Sequence, residues 1–467
     1  MLLPPDLQDW LPRDHLAWLV LEVVDQLDLT AIEAGFVRGG VGREAFHPRM
    51  LTALLIYGYC QGVRSSRQIE GCCVTDVAFR AIAAQQRPDH TTLARFRQRH
   101  AAALADLFGQ VLAICGGAGL GRIGIVAIDG TKIAGQASPR KNYTESTLRK
   151  LAADILDEAA ATDAAEDAEF GPDRSGEELP EDLRPGPDRA GRLRQALAQV
   201  EAEKAAAVAE DVAVAERKVI RAHRTAARER RDRLQRRRGK RPRADRRPLE
   251  EHARVRQADA RVAVTEQELA QAHAGQGKRA QVQAAKPPTV NISDPDSHLM
   301  FVRGKGYLQG YNAQLAVSDD HLILATDIST DTNDMLLFPG ILDQTLANVA
   351  AYLDGAEIGM VLADAGYCTH EALTWPGPDR LIATGRKPDQ PAQTGKDSAI
   401  AAMARRLAED SPGRATYKRR QATVEPVIGQ LKDRIGLRRF ARRGKQAAAH
   451  ELAFAAMVHN IRRLATS

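Results

Sequence analysis

The sequence predicts an α/β chain in which an all-helical N-terminal region precedes a sheet-bearing core, and a long coiled-coil-like helical insertion interrupts that core. Three observations carry this. Two short apolar runs rich in β-branched residues, Gly124–Thr131 (GIVAIDGT) and Ile358–Asp364 (IGMVLAD), read as buried strands, and each brings an aspartate to its end. Residues from about 12 to 115 carry apolar positions at helical spacing with capping residues between them. From about 141 to 285 aromatic residues almost vanish while Ala, Glu and Arg dominate, the composition of long helices that share little core with a globular body.

The N-terminal domain is expected over 1–118. Pro48 suits the first turn of a helix that runs apolar on one side to Tyr59, Ser65 and Ser66 precede a short helix, and Asp89 is the N-cap candidate for a helix through His100. In that helix Arg95, Arg97 and Arg99 interleave with Phe96 and His100, a basic face open either to solvent or to a groove of DNA. Residues 119–140 hold the first strand of the core, over 122–134. The insertion, 141–285, opens with an acidic stretch from Asp154 to Asp182 whose Gly171, Pro172 and Pro180 predict a loop. Leu193, Leu197 and Val200 then trace a seam that continues past Lys204 into Ala207 and Val208, the lysine marking it as thin and partly wet. Val255, Val262 and Leu269 trace a second seam beyond Pro242 and Pro248, which predicts an antiparallel helical hairpin. Its tip is strongly basic, with sixteen Lys or Arg between Arg217 and Arg247. Such a run is a solvated face, or it contacts a DNA backbone or bridges protomers, since clustered cations release counterions from phosphates.

The core resumes over 286–467. Strands are expected at 307–317 and 321–329, a helix at 334–353 with Pro339 early in it, the strand ending at Asp364, a short strand at 381–384, and helices at 397–408, 415–435 and 447–464. Three strands followed by alternating helix and strand is the order of a ribonuclease-H-like core. In that fold the first and fourth strands are neighbours, so Asp129 and Asp364 are expected side by side.

Composition is consistent with a polyanionic partner without requiring one. The 66 Lys and Arg exceed the 60 Asp and Glu, giving net +6 and a sequence pI near 9.1, a surplus whose distribution matters more than its total. The five cysteines include no Cys-x-x-Cys, and the adjacent Cys72 and Cys73 do not suit a normal disulfide, so reduced thiols in a cytoplasmic protein are expected. No basic-then-apolar leader opens the chain, and no apolar stretch approaches the ~20 residues that span a bilayer, so a soluble protein without a membrane partner is expected.

Asp129, Asp364 and Glu425 are the candidates for chemistry. Glu425 lies in Tyr417–Glu425 (YKRRQATVE), which reads as helical, with Pro426 either kinking the helix or standing in its first turn. Carboxylate-only donors suit Mg²⁺ or Mn²⁺ rather than zinc. Cutting a phosphodiester needs an activated water or 3′-hydroxyl, in-line geometry and neutralised charge on the leaving oxygen, and two cations about 4 Å apart supply all three. Singly, each aspartate also reads as a turn residue bonding its own backbone and the glutamate as a solvated side chain. Asp294 and Asp296 compete as metal candidates, although Asp-Pro-Asp is more simply a turn.

These residues resemble the DDE transposases of bacterial insertion sequences, in particular the group with a tyrosine-arginine-glutamate-lysine signature, here Tyr417, Arg420, Glu425 and Lys432. Four residues separate Arg420 from Glu425 where the family commonly has three, so either Arg420 is shifted by one helical position or another arginine takes its role. Further resemblance lies in Gly306–Val317, in Asp364–Tyr367, and in His459 and Asn460 followed by Arg462, Arg463 and Leu464. The N-terminal helices resemble the family's DNA-binding domain.

The resemblance implies a Mg²⁺-dependent enzyme that binds terminal inverted repeats, cleaves to expose 3′-hydroxyls and joins them to target DNA. It implies double-stranded DNA, both transposon ends and target, as partner, and a homodimer in the synaptic complex. Asp129, Asp364 and Glu425 would be both catalytic and metal-binding. Tyr417, Arg420 and Lys432 would contact DNA near the site, and Arg95, Arg97 and Arg99 would contact it from the N-terminal helix. Glu425, Gly429 and Lys432 share one helix face, and Gly429 leaves room there. Two other functions stay open: a catalytically inactive DNA-binding relative, and a coiled-coil scaffold built on 141–285.

Overall fold

The computed structural model describes residues 7–34, 36, 45–154, 189–238, 248–385 and 398–466. The expected mixed α/β organisation holds, with a helical N-terminal region and the sheet in the C-terminal part. Contacts divide the chain into two compact units, Met1–Pro139 with Asp296–Ser467, and Arg140–Pro295.

In the first unit the N-terminal helices include Leu16–Gln26, Pro48–Cys60, Ser66–Thr75, His90–Arg99 and Ala101–Gly117. Pro48 stands in its helix's first turn, and the Asp89 side chain accepts from the Thr92 amide at 2.8 Å. The Pro48–Cys60 helix departs from the one-sided apolar pattern expected of it. Every residue from Leu51 to Cys60 is buried, because this helix lies inside the core rather than on its surface. One apolar cluster runs from Ala17 and Leu54 through Val111 to Leu315, Val361 and Met457, so these helices and the sheet share a core.

Eight strands lie among the described residues: β1 Ile125–Ala134, β2 Asn142–Thr144, β3 Thr289–Asn291, β4 His298–Val302, β5 Gly306–Ser318, β6 Ile323–Ser329, β7 Met360–Ala363 and β8 Asp379–Ile382. The central run is β6-β5-β1-β7-β8. Pairings of β1 with β5 and of β5 with β6 are antiparallel, whereas β1 with β7 and β7 with β8 are parallel. β4 joins the sheet antiparallel to β5. It was not foreseen, being short and alternately exposed, with no continuous apolar run to mark it. The helix expected over 415–435 breaks at Lys418 into Pro412–Tyr417 and Arg419–Asp433, and Pro426 lies inside the second piece.

In the second unit, helices Arg189–Arg238 and Ala253–His273 run antiparallel, as the reversed order of their ion pairs requires: Lys218 with Glu268, His223 with Glu266 and Arg230 with Asp259. The longer helix buries Leu193, Val200 and then a file of alanines, Ala207, Ala215, Ala222 and Ala226. Lys204, the wet position of the seam, donates to Glu145. Val262 and Leu269 are half-buried, with Thr265 buried between them. β2 and β3 form a small two-stranded sheet here, and helix Lys278–Ala285 follows the hairpin. The acidic stretch beyond Asp154 and the basic tip at 239–247 lie outside the described residues. Among the described residues no single helix is long and apolar enough to cross a membrane. His90–Arg99 and Ala101–Gly117 pass that test only as a pair, bent by 72°.

Candidate functional site

Residues Ile125 to Ile128 of β1 are buried and pair in parallel with β7 from Ile125 opposite Met360 to Ile128 opposite Ala363, where the ladder stops. The next residues are Asp129 and Asp364. Both carboxylates therefore emerge where two parallel strands part, while β5 still holds β1 as far as Ala134 opposite Gly310.

Each aspartate does bond its own turn, as its sequence context suggested. Asp129 Oδ1 accepts from the Gly130 amide at 2.9 Å, and Asp364 Oδ1 from the Gly366 amide at 2.8 Å, opening the single turn Ala365–Tyr367. The turn role leaves the remaining oxygen atoms for other partners. Asp129 Oδ2 accepts from Arg420 Nη1 at 2.9 Å, and Arg420 Nη2 lies 4.0 Å from Glu425 Oε1. Arg420 is thus the arginine that reaches the aspartates, whereas Arg419 pairs with Asp319 at 3.1 Å. Glu425 stands further out, half-exposed, accepting from Gln421 at 3.1 Å. Among the described residues no three His, Cys, Asp or Glu side chains are close enough together to hold a metal ion. The fold brings Asp129 and Asp364 together and links Glu425 to them through a guanidinium.

Burial raises the Asp129 carboxyl above its ordinary range, against the pull of Arg420 and with the like charge of Asp364 adding to it. For Arg420 burial works against the charge, but Asp129 and Tyr417 more than offset it and the guanidinium holds its proton more tightly than usual. Burial likewise raises the half-buried Tyr417 hydroxyl, with Arg420 opposing. Lys432 donates to the Thr131 hydroxyl, two residues beyond Asp129, and its pKa is lowered by burial and then by the charges of Lys305 and Arg438.

Among the described residues the N-terminal arginines make no hydrogen bond or ion pair with these carboxylates. Arg97 is half-buried and donates to the Arg64 carbonyl at 2.9 Å, tying its helix to the preceding chain. Arg95 and Arg99 are exposed and line a cleft of the helical region with Phe36 and Phe46.

A second group of polar residues, not foreseen, backs the two aspartates. Asp334 Oδ1 accepts from Asn312 Nδ2 at 2.7 Å and Gln314 Nε2 at 2.9 Å, with Lys132 Nζ 3.6 Å away. Gln314 in turn accepts from the Tyr367 hydroxyl, which burial raises well above its ordinary pKa. Burial lowers the Lys132 ammonium, with Asp334 pulling the other way. The glycines that follow the aspartates make room for this network. A Cβ on Gly130 would stand 2.6 Å from Gln314 Nε2 and 2.7 Å from Asp334 Oδ1, and one on Gly366 would stand 3.0 Å from Asp364 Oδ1 and 3.4 Å from Asp334 Oδ2. Asn312 and Gln314 had a signal, two amides two residues apart in an apolar strand and so on one face. Asp334 had none beyond that of a residue before a helix.

Pro426 has no amide hydrogen, so the Ala422 carbonyl one turn earlier lacks its helical donor. His321 Nε2 donates to that carbonyl at 3.0 Å from the β5–β6 turn, where His321 adopts φ 65°. The closing His459 and Asn460 hold the same turn: His459 Nε2 donates to the His321 carbonyl at 2.9 Å, and the Asn460 amide bonds both backbone groups of Ile323, each at 2.9 Å. Asp296 accepts from the Lys445 amide at 2.8 Å, a contact made by the fold and not by the local turn, while Asp294 is buried and its own amide donates to Asn291 Oδ1 at 3.3 Å.

Residues 5–99 match the model of a transposase domain (DUF772), and residues 386–465 match that of a transposase DDE domain. No curated protein and no solved structure matches the chain. The first match covers the N-terminal helices as far as His90–Arg99, and the second covers the helix bearing Arg420, Glu425 and Lys432 together with His459 and Asn460. Two transposase domains at opposite ends of one chain support its recognition as a DDE transposase of an insertion sequence.

Proposed function

We propose that the protein binds the terminal inverted repeats of its element, cleaves them and joins the exposed 3′-hydroxyls to target DNA, with Asp129, Asp364 and Glu425 as the metal-holding triad. The observation that carries this reading is the emergence of Asp129 and Asp364 together where β1 and β7 part, with the helix of Arg420, Glu425 and Lys432 packed beside them. The strand order β6-β5-β1-β7-β8, three antiparallel strands and then two parallel ones, supports a ribonuclease-H-like core.

The donor chemistry fits Mg²⁺ or Mn²⁺, since the candidates are carboxylates that already share a guanidinium, a cation standing in for a cation. When bound, the metal would activate the attacking oxygen and neutralise the leaving one. Asp129, Asp364 and Glu425 would hold it. Lys132, Arg420 and Lys432 would bring positive charge to the scissile phosphate, and Tyr417 would orient Arg420. In the N-terminal domain, Arg95 and Arg99 would contact the ends while Arg97 keeps their helix in place. The antiparallel helical arm of the insertion would add contacts to the DNA backbone, and two copies would bring two ends together.

The test is divalent-metal-dependent nicking of duplexes copied from inverted repeats flanking the coding region. Asp129→Asn, Asp364→Asn and Glu425→Gln should each abolish cleavage and leave end binding intact, while Asp334→Asn lowers it by about tenfold, the scale of a lost supporting contact. Near wild-type cleavage by any of the first three would remove that residue from the triad. An active Glu425→Gln beside a dead Asp334→Asn would hand the third place to Asp334. The separation of Glu425 from the aspartates favours a second reading, an inactive DNA-binding relative. End binding without any metal-dependent nicking would establish it.

A further inference from the structure

The β4–β5 ribbon extends past the end of β1. The last pair of β1 is Ala134 opposite Gly310, whereas β4 carries the pairing on from His298 opposite Gly310 to Val302 opposite Gly306. Residues 303–307 at its turn are all exposed. Phe301 and Tyr307 stand directly opposite each other, their centroids 5.6 Å apart and their planes at 68°, yet they are 63% and 69% exposed. Leu299, on the same face, is 42% exposed, while Met300 on the opposite face is fully buried.

A cross-strand aromatic pair steadies a hairpin, but that requires only contact between the rings. Two large rings left mostly in water, with a leucine beside them, form a surface that something else can cover. Its charge says what. No Asp or Glu occurs from His298 to Ser318, and the turn itself carries Arg303 and Lys305. Lys305 and Arg438 both act electrostatically on Lys432, which is bonded to Thr131 beside Asp129. Arg438 is paired with Asp433, so the exposed cations of the turn itself, Arg303 and Lys305, are the ones left to meet a polyanion beside the candidate site. Tyr307 also alternates with Ala313 and Leu315, the partners of Thr131 and Asp129, so it shares their face of the sheet.

We propose that the β4–β5 turn is a stacking platform for an unpaired base of the DNA strand at the candidate site, with Arg303 and Lys305 on its phosphates. This rests on the nucleic-acid reading above and specifies the form of DNA. In a duplex the base faces are covered by their neighbours, and a basic loop without rings would serve as well. An unpaired base offers its π-face, and exposed aromatic side chains are the groups that take it.

The experiment uses the full-length protein without divalent metal, so that no cleavage occurs. Duplexes of the repeat end, either blunt or with a short 3′ extension carrying 2-aminopurine, are titrated and read by affinity and by the fluorescence quenching that stacking causes. The wild type should prefer the extended duplex roughly tenfold or more and quench the probe. Phe301→Leu with Tyr307→Leu, which keeps apolar side chains on the ribbon, should lose both effects with blunt-duplex binding unchanged, and Tm should fall only by the small amount that loss of a cross-strand aromatic pair costs. Arg303→Gln with Lys305→Gln should weaken both duplexes and flatten the salt dependence. Retention of the preference by the double leucine variant overturns the platform. So does equal wild-type binding of the two duplexes, which leaves the DNA-binding reading standing, whereas binding of neither defeats that reading itself. A wild-type dimer that the leucine variant converts to monomer would make this face a contact between copies and also overturn the proposal.

Discussion

The guanidinium of Arg420 donates to Asp129 at 2.9 Å while its other terminal nitrogen stands 4.0 Å from Glu425. Arg420 and Asp129 expose only 16% and 18% of their side chains, so solvent screens their attraction weakly. One side chain therefore holds the ground between two carboxylates that the proposed chemistry assigns to a divalent cation.

Replacing Arg420 with Gln leaves Asp129 beside Asp364 without its counter-charge. In metal-free buffer this should cost roughly 1 to 3 kcal/mol, the scale of a hydrogen bond to a charged group. Added Mn²⁺ should then raise the Tm of the variant more than that of the wild type, because the metal no longer competes with the guanidinium. Thermal unfolding with and without Mn²⁺ reads this directly, and equal metal-induced shifts would show that Arg420 and the cation do not share a place.

Two glycines near the site should respond to alanine in opposite directions. At Gly130 the new Cβ would press on Gln314 and Asp334, and a loss of about 1 to 3 kcal/mol is expected from overpacking. At Gly429, in the Glu425 helix, nothing lies within 4 Å of the new Cβ, and a gain of up to about 1 kcal/mol follows from helix propensity. Urea denaturation separates the two. A Gly429→Ala protein that is more stable yet binds ends less well would show that DNA uses the open space.

Burial lowers the His459 imidazole from 6.5 to about 4 while it donates to the His321 carbonyl. The unfolded chain takes up this proton near pH 6.5, and the folded chain does not until about 4. Its contribution is therefore complete above pH 6.5 and is lost as pH falls toward 4, by up to about 3 kcal/mol. His459→Gln, which keeps a donor for the carbonyl, should flatten the decline in denaturation midpoint between pH 7 and pH 5. An unchanged decline would assign the pH dependence to another group.

Elements with a strong local signal were legible in the sequence. The runs ending at Asp129 and Asp364 appear as adjacent parallel strands because an unbroken β-branched apolar stretch has few other stable placements. β4 and the Asp334 network were not legible. The first alternates in burial over only five residues, and the second depends on β1, β5 and the loop before Phe338 coming together, which no local pattern encodes. Arg97 carried the same pattern as Arg95 and Arg99 and differs from them through tertiary contacts, among them its bond to the Arg64 carbonyl more than thirty residues earlier. The closing His459 and Asn460 stand out in the sequence as a patch, but their work, gripping His321 and Ile323, is a tertiary one.

Pro426 and His321 are each unfavourable alone, one removing a hydrogen bond from the middle of a helix and the other holding a non-glycine residue in a left-handed conformation. Together they complete one hydrogen bond through Ala422. A non-proline residue at 426 would supply its own amide to Ala422 and make the His321 bond redundant, so the cost of losing His321 should depend on which residue stands at 426, and the two substitutions should not add.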